Sequence, residues 1–208
     1  MLHYGTVEPN VLEVLKKLMQ IPALNDFYLV GGTELSLIYG HRKSIDLDLF
    51  STNVFFNETI IPPLEKHFPG FSYRNTHNPI GLFGRIDGIK LDLVAHHYHP
   101  IIEKPIVIDG IRMFSLPDIM AMKIAAIMKR GVKKDFWDIA ELLQHYTVDD
   151  FINFYTAKYA SQQLLVSVPF AMTYFHDAEE SEDPISLKEQ TWKKVKKIIQ
   201  QKVSEFLK

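Results

Sequence analysis

Two acidic residues one position apart, Asp46 and Asp48, lie in the run Ile45-Asp46-Leu47-Asp48-Leu49-Phe50. In an extended chain alternate side chains share a face, so both carboxylates point one way and Ile45, Leu47 and Leu49 the other. Two rises of about 3.3 Å put their Cα atoms roughly 6.6 Å apart. Carboxylates converging from that spacing suit divalent cations about 3.5–4 Å apart, the arrangement used for in-line phosphoryl displacement. Upstream stands Gly31-Gly32-Thr33, directly after the apolar run Phe27-Tyr28-Leu29-Val30. Glycines let a backbone approach phosphate oxygens, and a helix opening after Thr33 adds N–H groups and partial positive charge. Each half alone is ordinary, since Gly-Gly turns are common and alternating acids often mark a solvent face. The order strand, Gly-Gly turn, helix, acidic strand is much more restrictive.

Further along, Lys90-Leu91-Asp92-Leu93 alternates again, so Asp92 shares a face with Lys90. Asp87 precedes Gly88, and a turn accounts for it. The segment 117–129 is apolar at Ile119, Met120, Met122, Ile124, Ile127 and Met128, with Lys123, Ile127 and Arg130 stacked at helical spacing. A lysine in such company either snorkels to solvent or is held for work on phosphate. Lys134 and Asp138 form an i,i+4 pair, while Asp135 suits a helix start. Arg42 and Lys43 fit either a triphosphate contact or a solvated turn. His96, His97 and His99 are split by strand alternation, which argues for strand-end polarity over a three-histidine metal site. Trp137 falls on the apolar stripe and reads as core.

The elements that must position these groups fall into two regions. Up to residue 114 the pattern is mixed. Helices are expected at 9–20, 34–39 (capped by Thr33) and 57–67, with Pro62-Pro63 inside the last. Strands are expected at 27–30, 45–50, 71–75, 80–87, 89–97 and 105–108. Ser115-Leu116-Pro117-Asp118 is a helix-start signature. Thereafter helical periodicity runs over 117–129, 133–145, 148–159, 161–175 and 187–207. The expected fold class is α/β (α+β): a mixed, partly antiparallel sheet with flanking helices in residues 1–114, then a helical domain in 115–208.

The 208 residues include no cysteine, which excludes disulfides and thiolate chemistry. Lys plus Arg total 23 against 25 Asp plus Glu. That balance argues against a protein that coats nucleic acid through bulk charge. Basic residues do cluster at 123–134 and 188–208, and acids at 177–183. No apolar run reaches the roughly 18 residues of a membrane span, and no signal peptide is evident. A cytoplasmic, soluble chain without membrane contact is the expectation.

The residues quoted above resemble the nucleotidyltransferase superfamily with the polymerase-β-like core, and more narrowly its AbiEii/AbiGii toxin branch. One matching run is Gly31-Gly32-Thr33, Gly40-His41-Arg42, Ser44 and Asp46-Leu47-Asp48-Leu49-Phe50. The other is Leu116-Pro117-Asp118, Met122-Lys123, Lys129-Arg130-Gly131 and Lys134-Asp135-Phe136-Trp137-Asp138-Ile139. Together they cover about residues 25–145. The resemblance implies transfer of a nucleoside monophosphate from an NTP, with Asp46, Asp48 and Asp92 as magnesium (or manganese) ligands and catalytic carboxylates. It assigns Lys123 and Asp138 to catalysis, and Gly31, Gly32, Thr33, Arg42, Ser44, Lys123, Arg130 and Asp135 to nucleotide binding. It further implies the toxin of a toxin–antitoxin or phage-defence pair, a tRNA or other RNA acceptor, and a cognate antitoxin that is a DNA-binding regulator. A small-molecule (antibiotic-type) nucleotidyltransferase and a catalytically silent nucleotide-binding module are the alternatives.

Overall fold

The computed structural model describes residues 1–74, 77–161 and 166–208, so the expected strand end at Asn75 and part of 161–175 lie outside the described residues. The chain divides into two compact units. The first comprises Met1–Ile38, Ser44–His99 and Pro105–Phe114. The second comprises Tyr39–Lys43, Pro100–Lys104 and Ser115–Lys208.

In the first unit seven strands form one mixed sheet: β1 (Phe27–Leu29), β2 (Leu47–Ser51), β3 (Phe71–Tyr73), β4 (Gly81–Ile86), β5 (Ile89–Ala95), β6 (Ile106–Ile108) and β7 (Ile111–Met113). Their order is β3-β4-β5-β2-β1-β7-β6. The pairs β2–β5 and β1–β7 are parallel, and the others are antiparallel. Strand alternation decides the two faces. Leu29, Leu47, Leu49, Leu82, Leu91 and Leu93 point into a core shared with Leu15 and Leu18 of α1 (Pro9–Leu18) and Ile60 and Leu64 of α3 (Asn57–His67). Their neighbours, Asp48, Phe83, Arg85, Lys90 and Asp92, stand on the opposite face. Pro62 and Pro63 are accommodated inside α3.

Most expected elements form, with instructive differences. The strand expected at 89–97 stops at Ala95, and β7 at 111–113 arises from the return of the Asp109-Gly110 hairpin, where both residues have positive φ. Helix α2 (Gly31–Tyr39) begins at Gly31, so Thr33 is inside it and does not cap it.

The second unit contains α4 (Leu116–Lys129), α5 (Lys133–Leu142), α6 (Val148–Lys158), α7 (Val168–Thr173) and α8 (Trp192–Phe206). Ser115 caps α4 as expected: its Oγ accepts from the Asp118 N–H and donates to Asp118 Oδ2 at 2.6 Å. Pro169 opens α7 instead of interrupting a longer helix. Residues 185–187 are extended and bond the segment Tyr39–Lys43: Leu187 N–H donates to His41 O and Lys43 N–H to Ile185 O. Trp137 is buried as expected and stacks on Trp192, ring centroids 5.9 Å apart.

A wholly buried pair ties the segment Pro100–Lys104 into this unit. The Lys158 ammonium lies 2.7 Å from Asp118 Oδ1 and donates to Pro100 O at 3.0 Å. Asp118 also accepts from the Ile102 and Glu103 N–H groups. Replacing Asp118 with Ala strands a buried ammonium, which costs roughly 3–5 kcal/mol. Urea unfolding of Asp118→Ala should show a loss on that scale, whereas Lys158→Met should lose less, because Asp118 keeps its backbone and Ser115 donors.

Candidate functional site

The first unit gathers the glycine turn and the acidic strand at one place. Strand β1 passes into α2 at Gly31, whose φ of +76° is the left-handed region. A side chain there costs about 1–2 kcal/mol. A Cβ on Gly31 would lie 3.5 Å from Asp48 Oδ2, so this carboxylate rests against the glycine's open side. The backbone of β2 holds the turn in turn: Val30 N–H donates to Asp48 O at 3.0 Å. The first N–H groups of α2 have no partner within the helix, which makes its start an anion seat beside that carboxylate.

Thr33 is buried and turns its hydroxyl into the protein. Its Oγ1 donates to the Asp46 carbonyl, and since a hydroxyl has one hydrogen, Ser44 Oγ donates to Thr33 Oγ1, 2.8 Å away. Thr33 and Ser44 therefore fix the backbone that delivers Asp46, the residue just before β2.

Parallel pairing of β2 with β5 sets Asp48 directly opposite Asp92. Lys90, on the same face, places its ammonium 2.5 Å from Asp92 Oδ2. Partial burial works against its charge, but the bond to Asp92 and the charges of Asp48, Asp92 and Asp46 outweigh that and hold Lys90 above the ordinary lysine value. A cation is thus favoured where the three carboxylates face. Among the described residues no three His, Cys, Asp or Glu side chains converge closely enough to cage a metal by themselves. Magnesium seldom needs such a cage: it is a hard ion commonly held by one or two carboxylates together with substrate phosphates. Oxygen donors on adjacent strands beside an anion seat fit that requirement.

Beyond Asp92 the same face opens into a cavity of about 490 Å³, lined by Arg74, Phe83, Arg85 and Lys90 among others. Gly84 forms part of its wall. A Cβ at Gly84 would sit 2.4 Å from Ser72 O, so only glycine lets β3 come this close. The histidines do not follow the alternation expected of them. Past Ala95 the chain turns, and His96 packs its ring 5.0 Å from His99 and 5.4 Å from Phe50.

The other expected site residues belong to the second unit, in a buried ionic network. Asp138, fully buried, accepts from Arg42 Nε at 2.7 Å and Nη2 at 2.9 Å and bonds His41 Nε2 at 2.7 Å. Its Oδ2 also lies 2.6 Å from the Lys123 ammonium, which reaches Asp135 Oδ1 at 2.9 Å. Arg130 Nε closes the series on Asp135 Oδ2 at 3.3 Å. Lys123 therefore does not snorkel; its side chain is 7% exposed. Arg42 spends two donors on the Asp138 carboxylate. Lys90, His41, Arg74 and Arg85 are not among the site residues expected from sequence. Alternation with Asp92 and the His-Arg dipeptide before Ser44 were the available signals for Lys90 and His41.

A family sequence profile described as "Nucleotidyl transferase AbiEii toxin, Type IV TA system" matches residues 13–204. A protein of Aquifex aeolicus, "Uncharacterized protein aq_aa25", is 32% identical over 94% of this chain and 95% of its own. Among solved structures, MenT4, a nucleotidyltransferase toxin of Mycobacterium tuberculosis, superposes with a TM-score of 0.57 at 15% identity, covering 91% of this chain and 82% of its own. JHP933 of Helicobacter pylori gives 0.53 at 15% identity, covering 97% and 95%. At such identities the two structures speak to the fold, which is shared.

The network makes a pH-dependent prediction. Burial raises the Asp138 carboxyl, but Arg42, Lys123 and the bonds from His41 and Arg42 overcome that and hold it well below the usual range. Burial likewise raises Asp135, and Lys123 and Arg130 reverse it. A depressed carboxyl contributes stability above its unfolded value of about 3.9 and loses it as pH falls through the folded value. Lys123→Met should therefore be destabilised by roughly 3–5 kcal/mol at neutral pH. The deficit relative to wild type should shrink below about pH 4 as the carboxylates protonate. Urea midpoints measured from pH 7 to pH 2 check this; a deficit constant across that range would contradict it.

Proposed function

The chain belongs to the AbiEii nucleotidyl transferase toxin family, and we propose that it moves a nucleoside monophosphate from an NTP to an RNA acceptor with a divalent cation's help. The observation that carries this reading is Asp48 standing opposite Asp92 in register, beside the left-handed Gly31 that opens α2. In this reading the triphosphate lies on the N–H groups of Gly31, Gly32 and the first turn of α2. Asp48, Asp92 and Asp46 hold magnesium or manganese, which when bound screens the phosphoryl oxygens and the departing pyrophosphate.

The balance of the reaction is simple. The acceptor's hydroxyl oxygen forms a bond to the α-phosphorus, the bond from that phosphorus to the α–β bridging oxygen breaks, and pyrophosphate departs. Asp92 takes the hydroxyl proton. Lys90 keeps Asp92 Oδ2 occupied, which leaves Oδ1 for that proton. Thr33 and Ser44 hold the Asp46 backbone in place. Lys123, Arg130, Asp135 and Asp138 act as positioning residues that fix α4 and α5 through their ion pairs. Arg42, bound to Asp138, serves the same end. The family's description as the toxin of a TA system supports a cognate antitoxin, with a DNA-binding regulator the expected kind.

Incubating purified protein with each labelled NTP, magnesium or manganese, and total RNA tests the reading. Labelled RNA and pyrophosphate should appear only when a divalent cation is present. Asp46→Asn and Asp48→Asn keep side-chain volume but lose charge, and should each lower turnover by roughly 10²-fold or more. Full activity in both variants, with unchanged circular dichroism, would remove the carboxylates from the reaction.

A further inference from the structure

Two residues at the start of β2 and two on β5 form a four-cornered array on one face of the sheet. Across the parallel pair Asp48 stands level with Asp92, and Leu47 with Leu91. Carried back by one residue, that register brings Asp46 level with Lys90. Alternate residues of a strand share a face, so the four side chains rise on the same side. The corners are about 6.6 Å apart along a strand and about 4.8 Å apart between strands. Three of them are carboxylates, and the fourth is an ammonium.

That ammonium is bound into the array. Its Nζ lies 2.5 Å from Asp92 Oδ2, and the Asp92 side chain is only 16% exposed, so solvent screens the pair weakly. Asp48 and Asp46 attract the same charge and add to the pull of Asp92. Arg85, level with Lys90 on β4, takes another course and turns its Nη1 to Gly88 O at 2.7 Å. Lys90 is thus the cation that the acids receive from this pair. An ammonium donates hydrogen bonds and accepts none, so it cannot join the donors of a metal ion. It can only stand in for a cation or repel one. Carboxylates gathered in this way commonly hold two divalent ions, one for the attacking oxygen and one for the leaving oxygen. Here the three negative charges are balanced by one divalent ion together with Lys90, and a second such ion would enter against the repulsion of the ammonium.

We propose that Lys90 takes the place of a second cation, so that the site binds one divalent ion per chain. Its ammonium supplies positive charge beside the oxygen whose proton Asp92 accepts. The bonds made and broken are those of the transfer described above, and Lys90 neither gains nor loses a proton. The assignment rests on the nucleotidyl-transfer reading for its chemistry, and counting ions tests it separately. The full-length protein is dialysed to equilibrium against Mn2+. An equimolar mixture of the four α,β-methylene nucleoside triphosphates, which cannot be cleaved at the α–β bridge, is present on both sides of the membrane. The excess of Mn2+ with the protein gives the number bound per chain. Wild type and Lys90→Arg, which keeps the charge, should each bind one ion. Lys90→Met and Lys90→Gln, which lose the charge, should bind two. Turnover gives a second readout. At limiting Mg2+, Lys90→Met should fall roughly tenfold or more below wild type and recover as Mg2+ is raised. A deficit that added Mg2+ does not repair would mark a purely structural lysine. Two ions or none bound by wild type, or a single ion in either uncharged variant with wild-type circular dichroism, would overturn the assignment. A count that moves from one to two, with no pyrophosphate released from any NTP in the presence of total RNA, would instead sink the transfer reading. Lys90 would then keep its place as the second cation of the array.

Discussion

Five consecutive residue pairs, from Leu47 opposite Leu91 to Ser51 opposite Ala95, join β2 to β5 in parallel. Everything chemical in the first unit depends on that register. Because side chains alternate with a period of two, shifting one strand by one residue would turn its carboxylate into the core and a leucine out onto the opposite face. The slip is opposed by Leu47, Leu49, Leu91 and Leu93, all essentially inaccessible to water. Burying each such side chain contributes about 1.5–3 kcal/mol. The apolar half of each strand thus aims the acidic half, and the site inherits the rigidity of the core beneath it.

The two units treat charge in opposite ways. In the first, Asp46, Asp48 and Asp92 are partly exposed and gather around the Lys90 ammonium. In the second, Asp138, Asp135, Lys123 and Arg42 are buried and bonded mainly to one another. Removing ions from water is expensive, and such a cluster is tolerable only when each member has partners of good geometry. It is a demanding way to hold helices together, but it admits few alternative packings.

Much of this arrangement was legible beforehand because it rests on local rules. Period-two alternation placed Asp48 opposite its flanking leucines and Asp92 on the face of Lys90, the Ser115–Asp118 box started α4, and Trp137 fell on the apolar stripe. Other features escaped because they depend on distant partners. Thr33 looked like a helix cap, yet α2 starts earlier at Gly31, and the hydroxyl is recruited by Ser44 and the Asp46 carbonyl instead. Lys123 was expected either to snorkel or to meet phosphate, and its ion pairs escaped notice because the acids that bury it lie 12 and 15 residues further on, across a helix break. The histidine alternation failed because β5 ends at Ala95, a boundary that no local propensity announces.

The link between His41, Arg42 and Asp138 also has a meaning in time. Arg42 and Asp138 are separated by 96 positions. A ribosome adding about 5–20 residues per second delivers the second roughly 5–20 s after the first. Through that interval Arg42 emerges without the carboxylate that will bury it, so the second unit cannot close until α5 has been made. A nascent chain cut short anywhere before α5 lacks its central anion. Incomplete synthesis would then yield chains whose first unit is whole and whose helical unit is not, so the two units differ in how early in synthesis they can become stable.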